Sequence, residues 1–418
     1  ASARLKVITT TTTKIGAPSA EQTSAFIVSD DRAQLLAQAE QALMAHRHVT
    51  VACAPYGPDK YRGVPAEWIA ALRALPGVYA VIVEADGARK LPFKAPRADE
   101  PIIPPETTLL VVCAGMTAVG TPLDEQHVCR ADIAAALADA QLGDVLTAEQ
   151  IARVMAHPDG GLKHHPTHAR GVALLNQADT PTRWDAAHNI ADVLHHTNAF
   201  DEVLIGALAN EDPILERRGR VSAIIMAAGE GRRFGGSIKQ LAPWGERTLI
   251  QHIIGLAEQS CADEIQVVLG AHADQIRARL NHLDARTRIT LNDQWRDGMS
   301  TSVKAGLAQT QTHPNAAVFV NVDQPGIHPG LIDRLIHRHR TTGAPIVAPR
   351  YQNLRGNPVL WDRSLFAELQ TLNGDVGGRE ILRQHWREIA WVELDSEEEL
   401  TDTDTPEEYQ RLKEILNA

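Results

Sequence analysis

The feature that most constrains this chain is an alternation: apolar runs of strand length and helix-like stretches follow one another twice along 418 residues, with a polar break between the two series. The first series runs through LKVIT (5–9), VTVACA (49–54), YAVIVEA (79–85), TLLVVCA (108–114), GVALLN (171–176) and EVLIGAL (202–208), with helix-like stretches at 33–46, 66–74, 131–140, 147–156 and 185–196. The second runs through VSAIIMA (221–227), EIQVVLG (264–270), AAVFVNVD (316–323) and PIVAPR (345–350), with helices expected near 247–259, 272–281, 301–310 and 329–340. Short apolar strands alternating with helices describe an α/β fold with a largely parallel sheet. Two such series, each long enough for its own core, imply two domains. The boundary falls at the charged segment NEDPILERRGR, giving domains 1–210 and 221–418 and a linker at 211–220.

Composition narrows the function. Hydrophobic residues at 44% and charged residues at 22% let both halves bury a core, so the chain is not disordered. A net charge of −11 argues against an extended nucleic-acid surface, although a few cations in one loop still suffice for a small anion. The four cysteines, Cys53, Cys113, Cys129 and Cys261, form no C-x-x-C pair, which argues against a disulfide framework or a zinc knuckle and fits a reducing cytoplasm. Neither a membrane-length apolar run nor a signal peptide is present, so the expectation is a cytoplasmic protein without a membrane partner.

The most informative loop is IIMAAGEGRRFGGSIK (224–239), where four apolar residues give way to glycines and cations. Glycines after a strand let backbone N–H groups approach an anion. The spacing G-x-G-x-x-x-G departs by one residue from the dinucleotide fingerprint, and Arg232, Arg233 and Lys239 point instead to a phosphate chain. A flexible surface loop is the alternative. Further on, VFVNVDQP (318–325) ends an apolar strand in Asp323, placed either to address Mg²⁺ or to cap the following turn. The hydroxyls of GMSTS (298–302) either meet a nucleotide or cap a helix.

In this order, these pieces resemble the molybdenum cofactor cytidylyltransferase family, a group of nucleotidyltransferases with a Rossmann-like fold. Its L-A-A-G-x-S-x-R-x-G-x-x-K is similar to MAAGEGRRFGGSIK, its G-M-S-x-S to GMSTS and its D-x-P to Asp323-Gln324-Pro325. The blocks RGNPV (355–359), GDVGGR (374–379) and TDTDTPEE (401–408) extend the likeness over nearly all of 221–418. Departures are Gly231 for a small hydroxyl residue, one extra residue before the glycine pair, Asn357 where histidine is common, and Thr403 for an apolar residue. The resemblance implies transfer of CMP from CTP to the terminal phosphate of molybdopterin, with release of pyrophosphate. It implies that Ala227, Ala228, Gly229 and Gly231 face the nucleotide with Ser302, and that Arg233 and Lys239 hold the triphosphate, Arg232 being the alternative to Arg233. It further implies Mg²⁺, with Mn²⁺ as a substitute, on Asp323 and on Asp402 or Asp404, and places Asn357, Asp375 and Arg379 on the pterin side. The second alanine, Ala228, is typical of the cytidylyl branch, whereas the guanylyl branch carries glycine.

The first half carries EADGARKLPFKAP (84–96), the threonine run TTTTTKI (9–15), IIP (102–104) and NQAD (176–179). Together they resemble the selenium-dependent molybdenum hydroxylase accessory proteins, which look like P-loop NTPases; a molybdenum hydroxylase apoenzyme is then an implied partner. Glu84 and Asp86 end an apolar strand either at a position suited to a nucleotide's metal or at a plain turn, and Asp179 closes a segment similar to the N-K-x-D guanine-reading motif of GTPases, with Gln177 in place of lysine. The dipeptide Gly-Lys of a phosphate loop occurs nowhere in the 418 residues, so this half is expected to bind nucleoside triphosphates poorly. His157, His164, His165 and His168 cluster without a recognisable metal-ligand spacing. Two other readings stay open: a cofactor-delivering chaperone without turnover, and a nucleotidyltransferase for another phosphorylated small molecule.

Overall fold

The computed structural model describes residues 5–311, 314–328 and 330–416, so position 329 at the start of one expected helix lies outside the described residues. The chain is mixed α/β and divides into two compact units, 1–214 and 215–418.

In the first unit the threonine run forms strand Lys6–Thr11, parallel to His48–Ala52 on one side and to Val78–Glu84 on the other. Threonine is β-branched and suits a strand, and here its hydroxyls also join neighbouring strands. Thr9 Oγ1 lies 2.7 Å from Thr50 Oγ1, Thr10 donates to Val51 O at 2.8 Å and Thr11 donates to Glu84 O at 2.8 Å. Helix Arg32–Ala45 begins at Asp31, whose carboxylate accepts from Gln34 N at 2.7 Å, and buries Leu35, Ala39 and Leu43 at four-residue spacing. In a second parallel sheet of this unit, Arg170–Asn176 runs between Leu109–Gly115 and Glu202–Gly206. Helices Ala148–Ala156 and Pro181–Thr197 pack there through Ile151, Met155, Ile190 and Leu194.

Residues 214–219, which fall in the expected linker, are instead a strand, Ile214–Gly219. Its charges are accommodated because Arg218 Nε meets the buried Glu216 carboxylate at 2.6 Å.

The second unit is built on one sheet. Thr287–Leu291, Glu264–Leu269, Val221–Ala227 and Ala316–Asn321 run parallel, followed by the antiparallel Val359–Asp362 and then Ile346–Tyr351. Ile389–Glu393 adds a further parallel strand beside Ile346–Tyr351. Val221–Ala227 is covered on both faces, which is why it reads as a continuous apolar run. Ala223 and Ile225 face helices Leu249–Glu258 and Leu331–Thr342, while Ile224 faces Met299–Ala308 and the short helices Phe366–Thr371 and Arg379–Gln384. Each fully buried isoleucine contributes about 1.5–3 kcal/mol relative to exposure. The helix expected over 272–281 spans only Ala273–Arg277. Met226 stands opposite Asn321 in register, so the chain segments leaving these two parallel strands, 228–238 and 322–324, emerge side by side at the same sheet edge. That edge, at strand C-termini, is where open α/β sheets bind ligands.

Candidate functional site

The loop after Val221–Ala227 turns through Gly231, Gly235 and Gly236 at φ +65°, +67° and +83°. At Gly231 a side chain would suffer the left-handed backbone and meet Lys239 Cβ at 3.1 Å, which explains why the small hydroxyl residue is replaced there by glycine. Gln240, almost fully buried, pins the loop from beneath: its Nε2 donates to Ala227 O at 3.0 Å and to Gly229 O at 2.7 Å. Ala271 N donates to Ala228 O at 2.9 Å. The carbonyls of Ala227, Ala228 and Gly229 are therefore all engaged by the protein, and Gly229 has open space on its side-chain face.

Lys239 is buried, at 5% exposure, and its Nζ lies 3.2 Å from Asp404 Oδ1 and 3.5 Å from Asp323 Oδ2. Arg233 reaches Asp404 Oδ2 at 2.6 Å from the solvent side, whereas Arg232 pairs with Glu230 at 2.8 Å on the surface. The structure thus brings Arg233, not Arg232, to the carboxylates. Asp323 and the 402–404 segment are joined by Thr403, which is fully buried and donates from both its N (2.9 Å) and its Oγ1 (3.0 Å) to Asp323 O. The hydroxyl that departs from the apolar residue of the resemblance is therefore used.

Three carboxylates converge on one buried lysine, and the consequence is a local surplus of negative charge. Asp402 lines the pocket with its outer face open to solvent, and its carboxyl is pushed up to about 6, first by desolvation and then by the charges of Asp323 and Asp404, with Gln324 and Lys239 opposing. Asp323 Oδ1 is buried and has no hydrogen-bond partner. Among the described residues no three His, Cys, Asp or Glu side chains form a ready-made metal cage. The fit is instead to a hard divalent cation held by one or two carboxylates and completed by substrate phosphate oxygens, a donor set that Mg²⁺ and Mn²⁺ accept.

These groups open into a pocket of about 740 Å³ whose wall includes Arg233, Asp323, Asp402 and Asp404 at one side and Asn357, Asp375 and Arg379 at another. Gly298 positions that second wall. It sits at φ +109°, and an added Cβ would lie 2.3 Å from Gly374 C, so only glycine lets the two loops touch. Ser300 N then donates to Gly374 O at 3.2 Å, and Met299 N lies 3.4 Å from Asp375 Oδ1. Ser302 is buried in helix Met299–Ala308, where Asn292 Nδ2 donates to its Oγ at 2.9 Å; it is not part of the pocket wall. Gln240 and Asn292 were missed from sequence. The position of Gln240, directly after Lys239, was the available signal.

In the first unit, Asp86 is ion-paired with Lys94, whose Nζ is also 3.6 Å from Glu100; Arg130 and Arg97 meet Glu100 at 2.5 and 2.8 Å. Burial, opposed by Lys94, pushes the Asp86 carboxyl up to about 6. Glu84 is raised by burial and then by Asp86. Asp179 forms an exposed pair with Arg183 at 2.7 Å, and the Asn176 side chain accepts from Gln177 N and Leu208 N. The histidines stitch loops: His164 bonds Pro101 O, His165 bonds Ala169 O, and His157 accepts from Asp159 N. Among the described residues no helix is long and apolar enough to cross a membrane.

Comparison with known proteins parallels this division. Residues 223–389 match the MobA-like NTP transferase domain, and residues 1–132 match the YqeC protein family. Over 200 residues the chain is 34% identical to nicotine blue oxidoreductase of Paenarthrobacter nicotinovorans, covering 46% of this chain and 96% of that protein. It is 26% identical over 196 residues to the molybdenum cofactor cytidylyltransferase of Escherichia coli, covering 46% of this chain and 96% of the relative. The first half is 32% identical over 124 residues to YqeC of Escherichia coli, 28% of this chain, and spans 46% of that relative's length.

Proposed function

The chain belongs to the MobA-like NTP transferase family, with a YqeC domain ahead of the transferase domain, and we propose that it is a nucleotidyltransferase of molybdenum cofactor biosynthesis that transfers CMP from CTP to molybdopterin. The observation that carries this reading is the cluster in which buried Lys239 faces Asp323 and Asp404 beside the glycine loop.

An oxygen of the acceptor's phosphate attacks the α-phosphorus of CTP; the bond from that phosphorus to the bridging oxygen breaks, and pyrophosphate leaves with the electron pair. Lys239 and Arg233 bear positive charge next to the phosphate chain and stabilise the charge that moves onto the leaving group. Burial fixes Lys239 in place, so little reorganisation accompanies the step. Asp323 and Asp402 would hold Mg²⁺ or Mn²⁺, which when bound polarises phosphate oxygens. Ala228 supports cytosine as the base; Ser302, held by Asn292, orients helix Met299–Ala308 behind the nucleotide. Asn357, Asp375 and Arg379 face the acceptor. For the first unit we propose a P-loop-NTPase-like ancestry and a role as a surface for cofactor or for a hydroxylase apoenzyme. Incubating the chain with CTP, Mg²⁺ and molybdopterin and weighing the product tests the proposal: a cytidine dinucleotide of molybdopterin supports it, and unmodified molybdopterin contradicts it.

The similarity to nicotine blue oxidoreductase favours one second reading, an oxidoreductase that acts on nicotine blue. A change in the visible absorbance of nicotine blue on incubation with the chain and a redox partner, without pyrophosphate release from CTP, is the outcome that reading requires.

A further inference from the structure

One side of the 740 Å³ pocket carries an unexplained concentration of arginine: Arg355, Arg379 and Arg383 all line it. Arg379 and Arg383 are four residues apart on helix Arg379–Gln384, so they project from one helical face, and Arg355 lies in the short strand Leu354–Arg355 close enough to feel both charges. Among the described residues none of the three stands in an ion pair, although Asp375 and Glu380 line the same pocket. The contrast is with a second cavity of about 510 Å³, where Arg350 is held by Glu393 at 2.5 Å and stacks over Trp391. Guanidinium groups repel one another, and Arg355 is half-buried, so its protonated form is disfavoured first by desolvation and then by its two neighbours. A fold does not gather three such groups against one wall for stability; what relieves the repulsion is an oxyanion.

We propose that Arg355, Arg379 and Arg383 form the binding subsite for a phosphate monoester, the anionic group of the acceptor, in the same pocket as the nucleotide. The proposal deepens the transferase reading and rests on it for the word acceptor. It assigns a division of charge: Lys239 and Arg233 serve the triphosphate among carboxylates, and the arginine trio serves a second phosphorylated molecule. Planar guanidinium forks supply paired N–H donors matched to phosphate oxygens, which a lysine cannot supply.

Modification by phenylglyoxal, read residue by residue from peptide masses, tests the subsite without turnover. Inorganic phosphate, against chloride at equal ionic strength, should slow modification of Arg355, Arg379 and Arg383 and leave Arg334, in the second cavity, unchanged. Equal modification in phosphate and chloride overturns the proposal, and so does protection by CTP with Mg²⁺ but not by phosphate, which would give the trio to the triphosphate. In steady-state assays R379Q/R383Q should raise KM for molybdopterin about tenfold, the scale of losing charge-assisted hydrogen bonds, with KM for CTP nearly unchanged. A rise in KM for CTP alone also overturns it. If the wild-type chain releases no pyrophosphate at all, the transferase reading fails while the protection experiment still decides whether the anion subsite exists.

Discussion

Both halves of the chain end an apolar strand in acid, Val78–Glu84 leading to Asp86 and Ala316–Asn321 leading to Asp323, and the two acids meet different fates. Around Asp86, acids and cations close on one another: Lys94 takes Asp86, and Arg97 and Arg130 take Glu100, with Asp86, Lys94, Glu100 and Arg130 no more than 15% exposed at their side chains. Around Asp323, three carboxylates share one buried lysine and one surface arginine, and Asp323 Oδ1 has neither a hydrogen bond nor an ion pair, whereas Asp86 Oδ1 and Glu100 Oε2, which also lack a hydrogen bond, each face a cation. In the first cluster Asp86 and Glu100 each have a cation of their own; in the second, three carboxylates outnumber the cations, so added positive charge is favoured. A carboxylate at a strand end is thus a weak sign of a site until the charges around it are counted.

Asp323→Asn should lower the rate of pyrophosphate release by roughly a thousandfold, the scale of several kcal/mol of charge stabilisation, with the melting temperature unchanged or higher. Near-normal turnover in that variant would erase the contrast. Lys94→Met should do the converse. Leaving two buried carboxylates without their lysine costs about 3 kcal/mol, which thermal unfolding of the first unit would register as a drop of several degrees, while transfer activity stays intact. Gly298→Ala should fall between, lowering kcat because the Gly298–Gly374 contact that carries Asp375 is forced apart, with a stability loss of about 1–3 kcal/mol.

The smallest effect expected is a pH dependence at Asp402. Its carboxyl stands at about 6 in the fold against an ordinary 3.8, so folding takes up a proton across that window. The group therefore favours the fold at low pH and opposes it once pH rises through about 6. Metal binding runs the other way, because it requires the carboxylate. Mn²⁺ affinity, followed by the loss of its free resonance signal, should weaken as pH falls through 6, and Asp402→Asn should abolish that step while raising the melting temperature above pH 6. An unchanged pH profile in the variant would remove Asp402 from the site.

The strands of both halves were legible wherever a run was buried on both faces, as in VSAIIMA and AAVFVNVD, since nothing but a sheet interior demands such runs. Val359–Asp362 and Ile389–Glu393 were not, because four or five residues of mixed polarity at the sheet's far side carry too little pattern. Asp323 and Lys239 could be picked out from motif and position. That Arg233 rather than Arg232 joins them could not, because the extra loop residue is absorbed by the positive-φ turns at Gly231, Gly235 and Gly236. The surplus charge was also invisible in sequence: it depends on Thr403 fastening residues 402–404, about eighty positions downstream, to the backbone of Asp323.

The transferase assignment is tested most directly by pyrophosphate release from the purified full chain with Mg²⁺ and molybdopterin, comparing CTP with GTP and the wild type with Asp323→Asn. Release should require molybdopterin, show a larger kcat/KM with CTP than with GTP, and be lost in the variant. Release that is indifferent to Asp323, or a larger kcat/KM with GTP, would contradict it.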